Sequence, residues 1–390
     1  QRNNDCAEEN MTTLIQNCRL VSPGIDLASA SILLKDSRIA AVFPDGAPLP
    51  PADTIIDAAG LMALPGFIDI HCHGRNNFDF CDASPEGVET IARNKPAEGV
   101  TTLLPTTLTL PEKDLTAALE AIAGYSGNGC KLPGVHLEGP FINPKCTGAQ
   151  NPAFVRKPDI AEVRRLNAIY PVRKVSFAIE SEGGPQFASE LLEMGIVPSC
   201  VHSAANYPQF LAGYDAGLRN LSHFCNQMTP LHHRDIGLVG AGLLHNDVYL
   251  EFICDKLHIS PAMIALTFKV AGAERIELIS DAMRASGMPN GEYTLGGLPV
   301  VVCDGAARLK EGGALAGSTL QINDALRNVV EITGLPLSEA VKSTSKAQAD
   351  ALGLSGVGEL RPGFAADIVL LDSHFRVKRT LVDGVVRFRA

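Results

Sequence analysis

The stretch PGFIDIHCHG, residues 65–74, is an apolar run that ends in two histidines separated by one residue. In a β-strand, side chains at positions i and i+2 point to the same side, so His71 and His73 share a face. A parallel barrel collects its active site at the carboxyl ends of its strands. We therefore predict that these imidazoles lie together at the mouth of a barrel. This motif alone leaves a pair of surface or supporting histidines as the alternative.

A second strand, GVHLEGPFIN at residues 134–143, also ends in polar side chains, just before a Gly-Pro pair. His136 and Glu138 share a face by the same alternation. A carboxylate at a strand end can coordinate a divalent metal or bridge two ions, so we favour a metal-ligand role for Glu138 over a salt bridge. For His136 the choice between a metal ligand and a hydrogen-bonded supporting residue stays open.

Two further strands end in histidine, and they are GIVPSCVHSAAN at residues 195–206 and LRNLSHFCNQM at residues 218–228. These segments supply His202 and His223. A single histidine at a strand end is more often structural, but four strands that present His, Glu, His and His towards one mouth are hard to produce by chance. Imidazole and carboxylate together suit zinc, iron, cobalt or manganese. The set therefore predicts a site for a divalent metal ion.

The late apolar segment RIELISDAMRASG, residues 275–287, supplies Asp281 at its end. Hydrolysis at a metal site needs a base beside the attacking water, and the predicted ligands leave that role to another group. We therefore predict that Asp281 is the catalytic base. A helix N-cap is the alternative interpretation, because aspartate is common at that position.

Outward from these motifs, short apolar runs alternate with helix-like stretches such as DLTAALEAIAGY over residues 66–352. Such alternation indicates α/β architecture, and its length fits a (β/α)8 TIM-type barrel. The segments 11–65 and 353–390 contain strand and turn patterns instead, and neither has enough strands to be stable alone. We predict that both chain termini build one small β-sandwich domain, and that residues 1–10 are a disordered extension.

The composition narrows the class of protein. The chain has 390 residues, of which 46% are hydrophobic and 19% charged, so it can bury a large core and is not intrinsically disordered. A net charge of −10 and the absence of a Lys/Arg cluster argue against nucleic acid and anionic membranes as partners. No apolar run has the length of a membrane span, which predicts a cytoplasmic protein.

Taken together, these segments resemble the N-acetylglucosamine-6-phosphate deacetylases of the amidohydrolase superfamily. The resemblance covers nearly the whole chain after Met11. It is carried by PGFIDIHCHG, GVTTLLPT, HLEGPFINP, NQMTP, SDAM, LAGSTL and PGFAADIVLLD. The first and last of these motifs mark only the superfamily, whereas HLEGPF, SDAM and LAGSTL in combination are much more specific.

The resemblance implies a metal-dependent hydrolase that removes the acetyl group of N-acetylglucosamine 6-phosphate. Glu138, His202 and His223 would hold the principal ion, most simply Zn2+ with Fe2+, Co2+ and Mn2+ open. His71 and His73 would hold a second ion in members that bind two. Asp281 would take a proton from the attacking water and pass it to the leaving amine. The resemblance also implies a homodimer.

For the substrate, the resemblance points to a set of residues around the same mouth. They are Ala149, Gln150, Asn226, Gln227, Arg234, His258 and the main chain at Leu315, Ala316 and Gly317. Arg234 is expected at the phosphate, because a guanidinium can bind phosphate through two parallel hydrogen bonds. His258 is expected at the sugar or the carbonyl.

Several positions depart from the family pattern. Gln150 stands where a histidine is usual, GRNNF replaces a glycine-rich stretch at residues 74–78, NQM replaces NAM at residues 226–228, and Lys256 replaces a glycine. These departures suggest another substrate, such as N-acetylgalactosamine 6-phosphate or an unphosphorylated N-acyl amino sugar. A relative that binds sugar without turnover is the remaining alternative.

Overall fold

A computed structural model of the chain describes residues 11–390. Residues 1–10, the predicted disordered extension, lie outside the described residues. The strands in chain order are β1 (Thr12–Ser22), β2 (Ile25–Lys35), β3 (Arg38–Pro44), β4 (Thr54–Asp57), β5 (Met62–Pro65), β6 (Phe67–Cys72), β7 (Gly74–Arg75), β8 (Phe78–Asp79), β9 (Val100–Thr107), β10 (Val135–Glu138), β11 (Val172–Phe177), β12 (Val197–Cys200), β13 (Asn220–Leu221), β14 (Tyr249–Phe252), β15 (Ile276–Leu278), β16 (Gly291–Leu295), β17 (Leu298–Cys303), β18 (Ala306–Leu309), β19 (Ile368–Leu371), β20 (Val377–Val382) and β21 (Val385–Arg389). The α-helices are α1 (Pro85–Asn94), α2 (Glu112–Ala123), α3 (Ile160–Ile169), α4 (Gly184–Glu193), α5 (Tyr207–Asp215), α6 (Gly237–Leu244), α7 (Pro261–Ala271), α8 (Ile322–Thr333), α9 (Leu337–Ala340) and α10 (Lys346–Ala351).

Eight parallel strands form the barrel in the order β6, β9, β10, β11, β12, β13, β14 and β15. Each of these strands is followed along the chain by one helix of the series α1 to α8. The barrel closes where Cys72 pairs in parallel with Ala282 and the Asp281 amide donates to the His71 carbonyl at 2.8 Å. The predicted TIM-type barrel is confirmed, and its carboxyl ends carry the histidine and carboxylate motifs.

The barrel helices form where apolar residues recur at helical spacing. In α2 the buried residues Leu115, Ala118, Leu119 and Ile122 lie on one face and pack on the barrel. Glu112 and Asp114 occupy its first turn, where a negative charge stabilises the positive end of the helix dipole. The same amphipathic pattern therefore builds the outer layer and leaves the strand ends accessible.

A separate sheet joins the two ends of the chain in the order β21, β20, β19, β5, β1, β2 and β3, with β4 paired to β1. The junction is antiparallel, with Leu64 of β5 opposite Val369 of β19. The core of this sheet contains Ile15, Ile32, Leu34, Ile368 and Leu381. The predicted β-sandwich domain from both termini is confirmed, and its exact limits stay predictions.

A three-stranded antiparallel sheet, β16 to β18, is inserted between β15 and α8. We call residues 291–309 the insert sheet. Its apolar face buries Leu295 and Val300 against Leu108 and Met283 from the barrel loops. The insert sheet therefore stands beside the mouth of the barrel and brings its own residues to that mouth.

Within residues 11–390, no helix combines the length and apolarity needed to cross a bilayer.

Candidate metal centre and active site

Three of the predicted site residues leave their strands through left-handed backbone. The φ angle is 45° at His202, 30° at His223 and 45° at Asp281. Non-glycine residues rarely adopt this region, and it costs of the order of 1–3 kcal/mol per residue when the surrounding structure enforces it. The turns at these positions bring three side chains together over the barrel axis.

The first ligand set consists of Glu138, His202 and His223. Glu138 Oε1 lies 3.0 Å from His223 Nε2 and 3.2 Å from His202 Nε2, and the two Nε2 atoms are 3.3 Å apart. His202 Nδ1 donates to the Cys146 carbonyl oxygen at 2.7 Å, which leaves a lone pair on Nε2. Zinc bonds of about 2.0–2.2 Å allow three atoms at these separations to share one ion. The set fits a divalent cation.

The second ligand set is oriented by hydrogen bonds on the far side of each ring. His71 Nδ1 lies 2.8 Å from Glu251 Oε2, and His73 Nδ1 lies 3.2 Å from the Thr106 carbonyl oxygen. Each acceptor holds the proton on Nδ1, so Nε2 of both rings is the atom available for a ligand. Such hydrogen bonds are the usual means by which proteins fix metal-binding histidines.

The Nε2 atoms of His71 and His73 point at the same two carboxylates. They lie 3.6 and 3.3 Å from Asp281 Oδ1, and 3.7 and 3.3 Å from Glu138 Oε2. His71 Nε2 is buried and has no hydrogen-bond partner among the described residues. Glu138 therefore presents one oxygen to each ligand set, and the arrangement fits a second ion beside the first.

Both carboxylates of the site are held in the ionised form. Burial opposes ionisation of Glu138, but the imidazoles of His71, His202 and His223 outweigh it and hold the pKa of Glu138 well below its usual range. Burial likewise opposes ionisation of Asp281, but the charge of His71 and a hydrogen bond from His73 lower its pKa. A bound divalent ion would supply the positive charge that these two buried carboxylates otherwise take from the imidazoles.

A buried polar layer lies below the ligands. Glu251 forms an ion pair with Lys174 and accepts the backbone N–H of His223 at 3.1 Å, in addition to its bond with His71. His136 Nε2 lies 2.6 Å from Ser176 Oγ, which assigns this histidine to the supporting layer. Sequence reasoning missed Glu251 and Lys174. The signal that could have found them is a charged residue inside an otherwise apolar strand.

The site opens into a cavity of ≈ 350 Å³ at the mouth of the barrel. The predicted residues that line it are His73, Glu138, Ala149, Gln150, His202, His223, Asn226, Gln227, His258, Asp281, Leu315 and Gly317. The residues that line it without having been predicted are Leu108, Gly148, Ile253, Leu295, Arg308 and Ala314. His71 and Ala316 are buried behind this wall. Ligand sets, base and most predicted substrate residues therefore surround one space.

Arg234, the residue expected at the phosphate, does not line this cavity. Its side chain is exposed, and Nη1 lies 2.8 Å from the ring nitrogen of the neighbouring His233. The guanidinium therefore lies outside the wall formed by the described residues of the chain.

Gln150 lies directly on the metal centre. The Thr109 amide donates to its Oε1 at 2.7 Å, and its Nε2 donates to Glu138 Oε2 at 2.5 Å. The residue is only 5% exposed. Because these bonds fix the carboxamide, Gln150 orients the Glu138 carboxylate in addition to lining the cavity.

His258 stands on the cavity wall and is oriented by Asp255. Nδ1 of the ring lies 2.7 Å from Asp255 Oδ2. Burial alone would lower the pKa of His258, but the hydrogen bond and charge of Asp255 outweigh burial and raise the pKa. Asp255 therefore makes the imidazole more basic than a free histidine. Asp255 was missed from the sequence, although its spacing of three residues from His258 was visible.

Two of the departures from the family pattern lie away from the cavity wall. Arg75 of the GRNNF loop is buried and forms an ion pair with Glu98, which also contacts Lys95 at 3.4 Å. Lys95 in turn lies 2.9 Å from Asp69. We call Asp69, Arg75, Lys95 and Glu98 the Lys95 cluster. Glu98 therefore holds the Arg75 guanidinium inside the protein, away from the cavity wall.

Lys256, the other such departure, is also no part of the cavity wall. Its φ angle is 67°, a backbone conformation that glycine adopts more easily, and its Nζ lies 3.7 Å from Glu331 Oε2. The substitution at this position therefore changes a surface turn rather than the substrate space.

The chain is similar to known proteins over most of its length. The family model described as the amidohydrolase family matches residues 268–387. The N-acetylgalactosamine-6-phosphate deacetylase of Escherichia coli O157:H7 is 40% identical over 96% of this chain and 99% of its own length. The N-acetylglucosamine-6-phosphate deacetylase of Lysinibacillus sphaericus is 35% identical over 85% of this chain and 87% of its own length.

Solved structures of the same kind are similar in fold. The N-acetylglucosamine-6-phosphate deacetylase of Thermotoga maritima has a TM-score of 0.87 at 34% identity, covering 97% of this chain and 100% of its own. A mutant of the Mycobacterium smegmatis enzyme in complex with N-acetyl-D-glucosamine 6-phosphate has a TM-score of 0.90 at 32% identity, covering 97% and 99%. The similarity therefore includes the terminal β-sandwich domain as well as the barrel.

Proposed function

Because this chain belongs to the N-acetylglucosamine-6-phosphate deacetylase family of amidohydrolases, we propose that it hydrolyses the 2-acetamido group of N-acetylglucosamine 6-phosphate. The products are glucosamine 6-phosphate and acetate. The single observation that carries the proposal is the convergence of Glu138, His202 and His223 with Asp281 on one cavity. This arrangement joins a cation site to a carboxylate base, which is what metal-assisted amide hydrolysis requires.

The cofactor is a divalent ion held by Glu138, His202 and His223, and the second ligand set can hold another. Zn2+ is the ion that we propose first, and Fe2+, Co2+ and Mn2+ suit the same nitrogen and oxygen donors. When bound, such an ion supplies Lewis acidity that polarises the acetamido carbonyl and makes water more acidic.

The residues of the chain then provide proton transfer and orientation. A carboxylate oxygen of Asp281 takes a proton from the water that attacks the acetamido carbon, and returns it to the sugar nitrogen as the C–N bond breaks. Cationic His258 donates a hydrogen bond to the sugar or the carbonyl oxygen. Asn226 and Gln227 orient the sugar, together with Ala149 and the main chain at Leu315, Ala316 and Gly317. The role of Arg234 at the phosphate stays part of the proposal.

The proposal is tested by acetate release from N-acetylglucosamine 6-phosphate. The purified enzyme should be active. Its activity should fall when the metal is chelated and return when a divalent ion is added back. Asp281→Asn should lower kcat by about 10²–10⁴-fold, the usual contribution of a general base, while the folded state persists. Bound metal without acetate release from any acetamido sugar would contradict the proposal and indicate a binding protein.

A second candidate substrate is N-acetylgalactosamine 6-phosphate. It is favoured by the 40% identity to the E. coli O157:H7 enzyme of that name and by Gln150, which stands on the metal carboxylate in place of the usual histidine. Comparison of kcat/KM for the two epimers, each with and without phosphate, decides between them. A clear preference for the glucosamine epimer would remove this candidate.

The family resemblance also supports a homodimer in the cytoplasm. The net charge of −10 supports a small-molecule substrate without a nucleic-acid or membrane partner. Light scattering coupled to gel filtration measures the oligomeric state, and a monomer at micromolar concentration would contradict the homodimer.

A further inference from the structure

Ser318 lies behind the cavity wall and is bonded to the backbone that carries Asp281. The residue is only 2% exposed. Its amide donates to the Asp281 carbonyl oxygen at 2.7 Å, and its hydroxyl donates to the Ser280 carbonyl oxygen. A parallel bridge also pairs Ser318 with Ala282, the residue on which the barrel closes. Ser318 therefore holds the backbone on both sides of the proposed base.

The same short segment is bonded to β6 on its other side. The Ser280 amide and hydroxyl donate to Asp69 at 3.2 and 2.6 Å, and the Asp281 amide donates to the His71 carbonyl oxygen at 2.8 Å. The donors of the segment thus go to β6, while its carbonyl groups accept from Ser318. A residue keeps left-handed backbone such as the φ of 45° at Asp281 only where neighbouring bonds enforce it. Both sets of bonds therefore define the direction in which Asp281 leaves the strand.

Ser318 also continues the main chain that we assign to the substrate, which is the three residues before it. Gly317 lines the cavity, and a Cβ added to it would lie 3.1 Å from the Asp281 carbonyl oxygen. Glycine therefore permits a close approach between this main chain and the backbone of the base. The Ala316 amide donates to the Ala307 carbonyl oxygen of the insert sheet at 3.0 Å. One segment thus connects the insert sheet, the cavity wall and the proposed base.

We propose that Ser318 is a positioning residue, whose hydroxyl fixes the Asp281 carboxylate in its productive place between the ligand sets and the acetamido carbon. This inference rests on the proposed deacetylase function, in which Asp281 is the base. Ser318 does not line the cavity, so it acts through the backbone of residues 280 and 281. Displacement of a reacting group by about 1 Å can cost about 100-fold in rate. The hydroxyl therefore contributes to kcat rather than to substrate binding.

The first test is Ser318→Ala, which removes the hydroxyl and keeps the amide bond to Asp281. The kcat for acetate release should fall about tenfold to hundredfold. KM should change by less than about threefold, because the bond of Ala316 to the insert sheet still holds the main chain beside the substrate. Metal content, measured by mass spectrometry of the purified protein, should match the wild type. Ser318→Thr restores the hydroxyl and should recover most of kcat.

A double variant tests whether the hydroxyl acts through the base. Once Asp281→Asn has removed the base, loss of the Ser318 hydroxyl should cost little more. The kcat of Ser318→Ala/Asp281→Asn should therefore equal that of Asp281→Asn within about twofold. If Ser318→Ala lowers kcat by the same factor in both backgrounds, the proposal is overturned. This comparison also decides the case in which the extra methyl group of Ser318→Thr prevents folding.

The matched control is Thr319→Ala, which removes the hydroxyl of the next residue. Thr319 Oγ1 donates to the Gly305 carbonyl oxygen of the insert sheet at 2.9 Å and not to residues 280 or 281. Thr319→Ala should keep the wild-type kcat. An equal loss of kcat in Thr319→Ala, an unchanged kcat in Ser318→Ala, or loss of bound metal from Ser318→Ala would each overturn the proposal.

A structural measurement separates this inference from the proposed reaction, because it requires no turnover. Crystal structures of the metal-loaded wild type and of metal-loaded Ser318→Ala should differ in the place of the Asp281 carboxylate relative to Glu138. The expected displacement is about 0.5 Å or more, the tolerance within which a productive site must be held. If the wild type releases no acetate, the deacetylase assignment fails, while this comparison still decides the role of Ser318. An Asp281 carboxylate in the same place in both structures overturns it.

Discussion

Two groups of buried charge lie in the barrel, and they differ in how the charge is balanced. The Lys95 cluster combines two cations, Arg75 and Lys95, with two carboxylates, Asp69 and Glu98, in direct contact. The metal centre combines the carboxylates Glu138 and Asp281 with histidine nitrogens and no Lys or Arg partner among the described residues. We call the first cluster balanced, because its carboxylates are paired with Lys and Arg, and the second unbalanced, because its carboxylates have only histidines as partners, which can also bind a cation.

The two groups are also physically connected. Asp69 of the Lys95 cluster accepts a hydrogen bond from Ser280 Oγ at 2.6 Å, and Ser280 directly precedes Asp281. Strained backbone begins at the next residue, where Asp281 has its φ angle of 45°. The paired cluster therefore supports the loop that carries the proposed base.

Breaking the Lys95 cluster should have the largest effect on the stability of the protein. Lys95→Met leaves two buried carboxylates without their shared cation, which should lower the free energy of unfolding by about 3–5 kcal/mol. Chemical denaturation measures the loss. The exposed control Lys35→Met should change stability by less than about 0.5 kcal/mol. A Lys95→Met protein as stable as wild type would show that the cluster is not a support.

Removing the cation from the unbalanced centre should have the next largest effect. Chelation should lower the free energy of unfolding by about 3–4 kcal/mol, the linkage expected when free ion had exceeded Kd by about 100- to 1,000-fold. Thermal melts with and without chelator measure this difference. Glu138→Gln, which lacks the shared carboxylate, should show little response. An identical melting temperature for wild type with and without chelator would contradict the comparison.

A third group, Glu277 beside Lys174 and Glu251, lies between these extremes, because one cation faces two carboxylates. Burial raises the pKa of Glu277 to about 7. The native state therefore binds the proton more tightly than the unfolded state, so stability is present below the unfolded pKa of about 4.3 and is lost as pH rises through 7.

Substitution of Glu277 turns this pH dependence into a measurement. Glu277→Gln cannot ionise at this position. Its free energy of unfolding should therefore rise relative to that of the wild type by about 1–3 kcal/mol between pH 4 and pH 8. Denaturation curves at both pH values measure the gap. The exposed control Glu311→Gln should show no gap that grows with pH, and a constant gap for Glu277→Gln would contradict the prediction.

The smallest effect on stability should come from Lys256, whose strained backbone lies outside the active site. Lys256 has left-handed backbone like the site residues but lies on the surface, and its exposed ion pair contributes little. Lys256→Gly should relieve the strain and raise the free energy of unfolding by about 0.5–1 kcal/mol. Lys269→Gly, in the last turn of α7, should instead lose up to about 1 kcal/mol. Destabilisation by Lys256→Gly would show that the turn is held by its lysine.

The barrel and the convergence of the candidate metal ligands could be predicted from sequence because each depends on a local pattern. Strand alternation places His71 beside His73, and parallel strands bring their carboxyl ends to one edge. Partners that are distant in sequence could not be predicted in this way. Glu251 and Lys174 are separated by 77 residues, and neither strand indicates which charge it will meet.

The insert sheet was missed for a different reason. The segment LPVVVC of β17 has the same composition as a barrel strand, and only its antiparallel pairing with β16 and β18 separates it from the barrel. Gln150 lines the cavity, but its orientation depends on the backbone of Thr109, which no pattern around Gln150 reveals.

The insert sheet enters the chain between the last barrel strand and its helix, and it reaches the cavity through Leu295 and Arg308. None of the residues in the two ligand sets belongs to it. Mutation within residues 291–309 can therefore alter substrate choice while the hydrolytic machinery is inherited unchanged. In evolutionary terms, the insert sheet can vary in sequence while the ligand sets on the barrel strands stay the same.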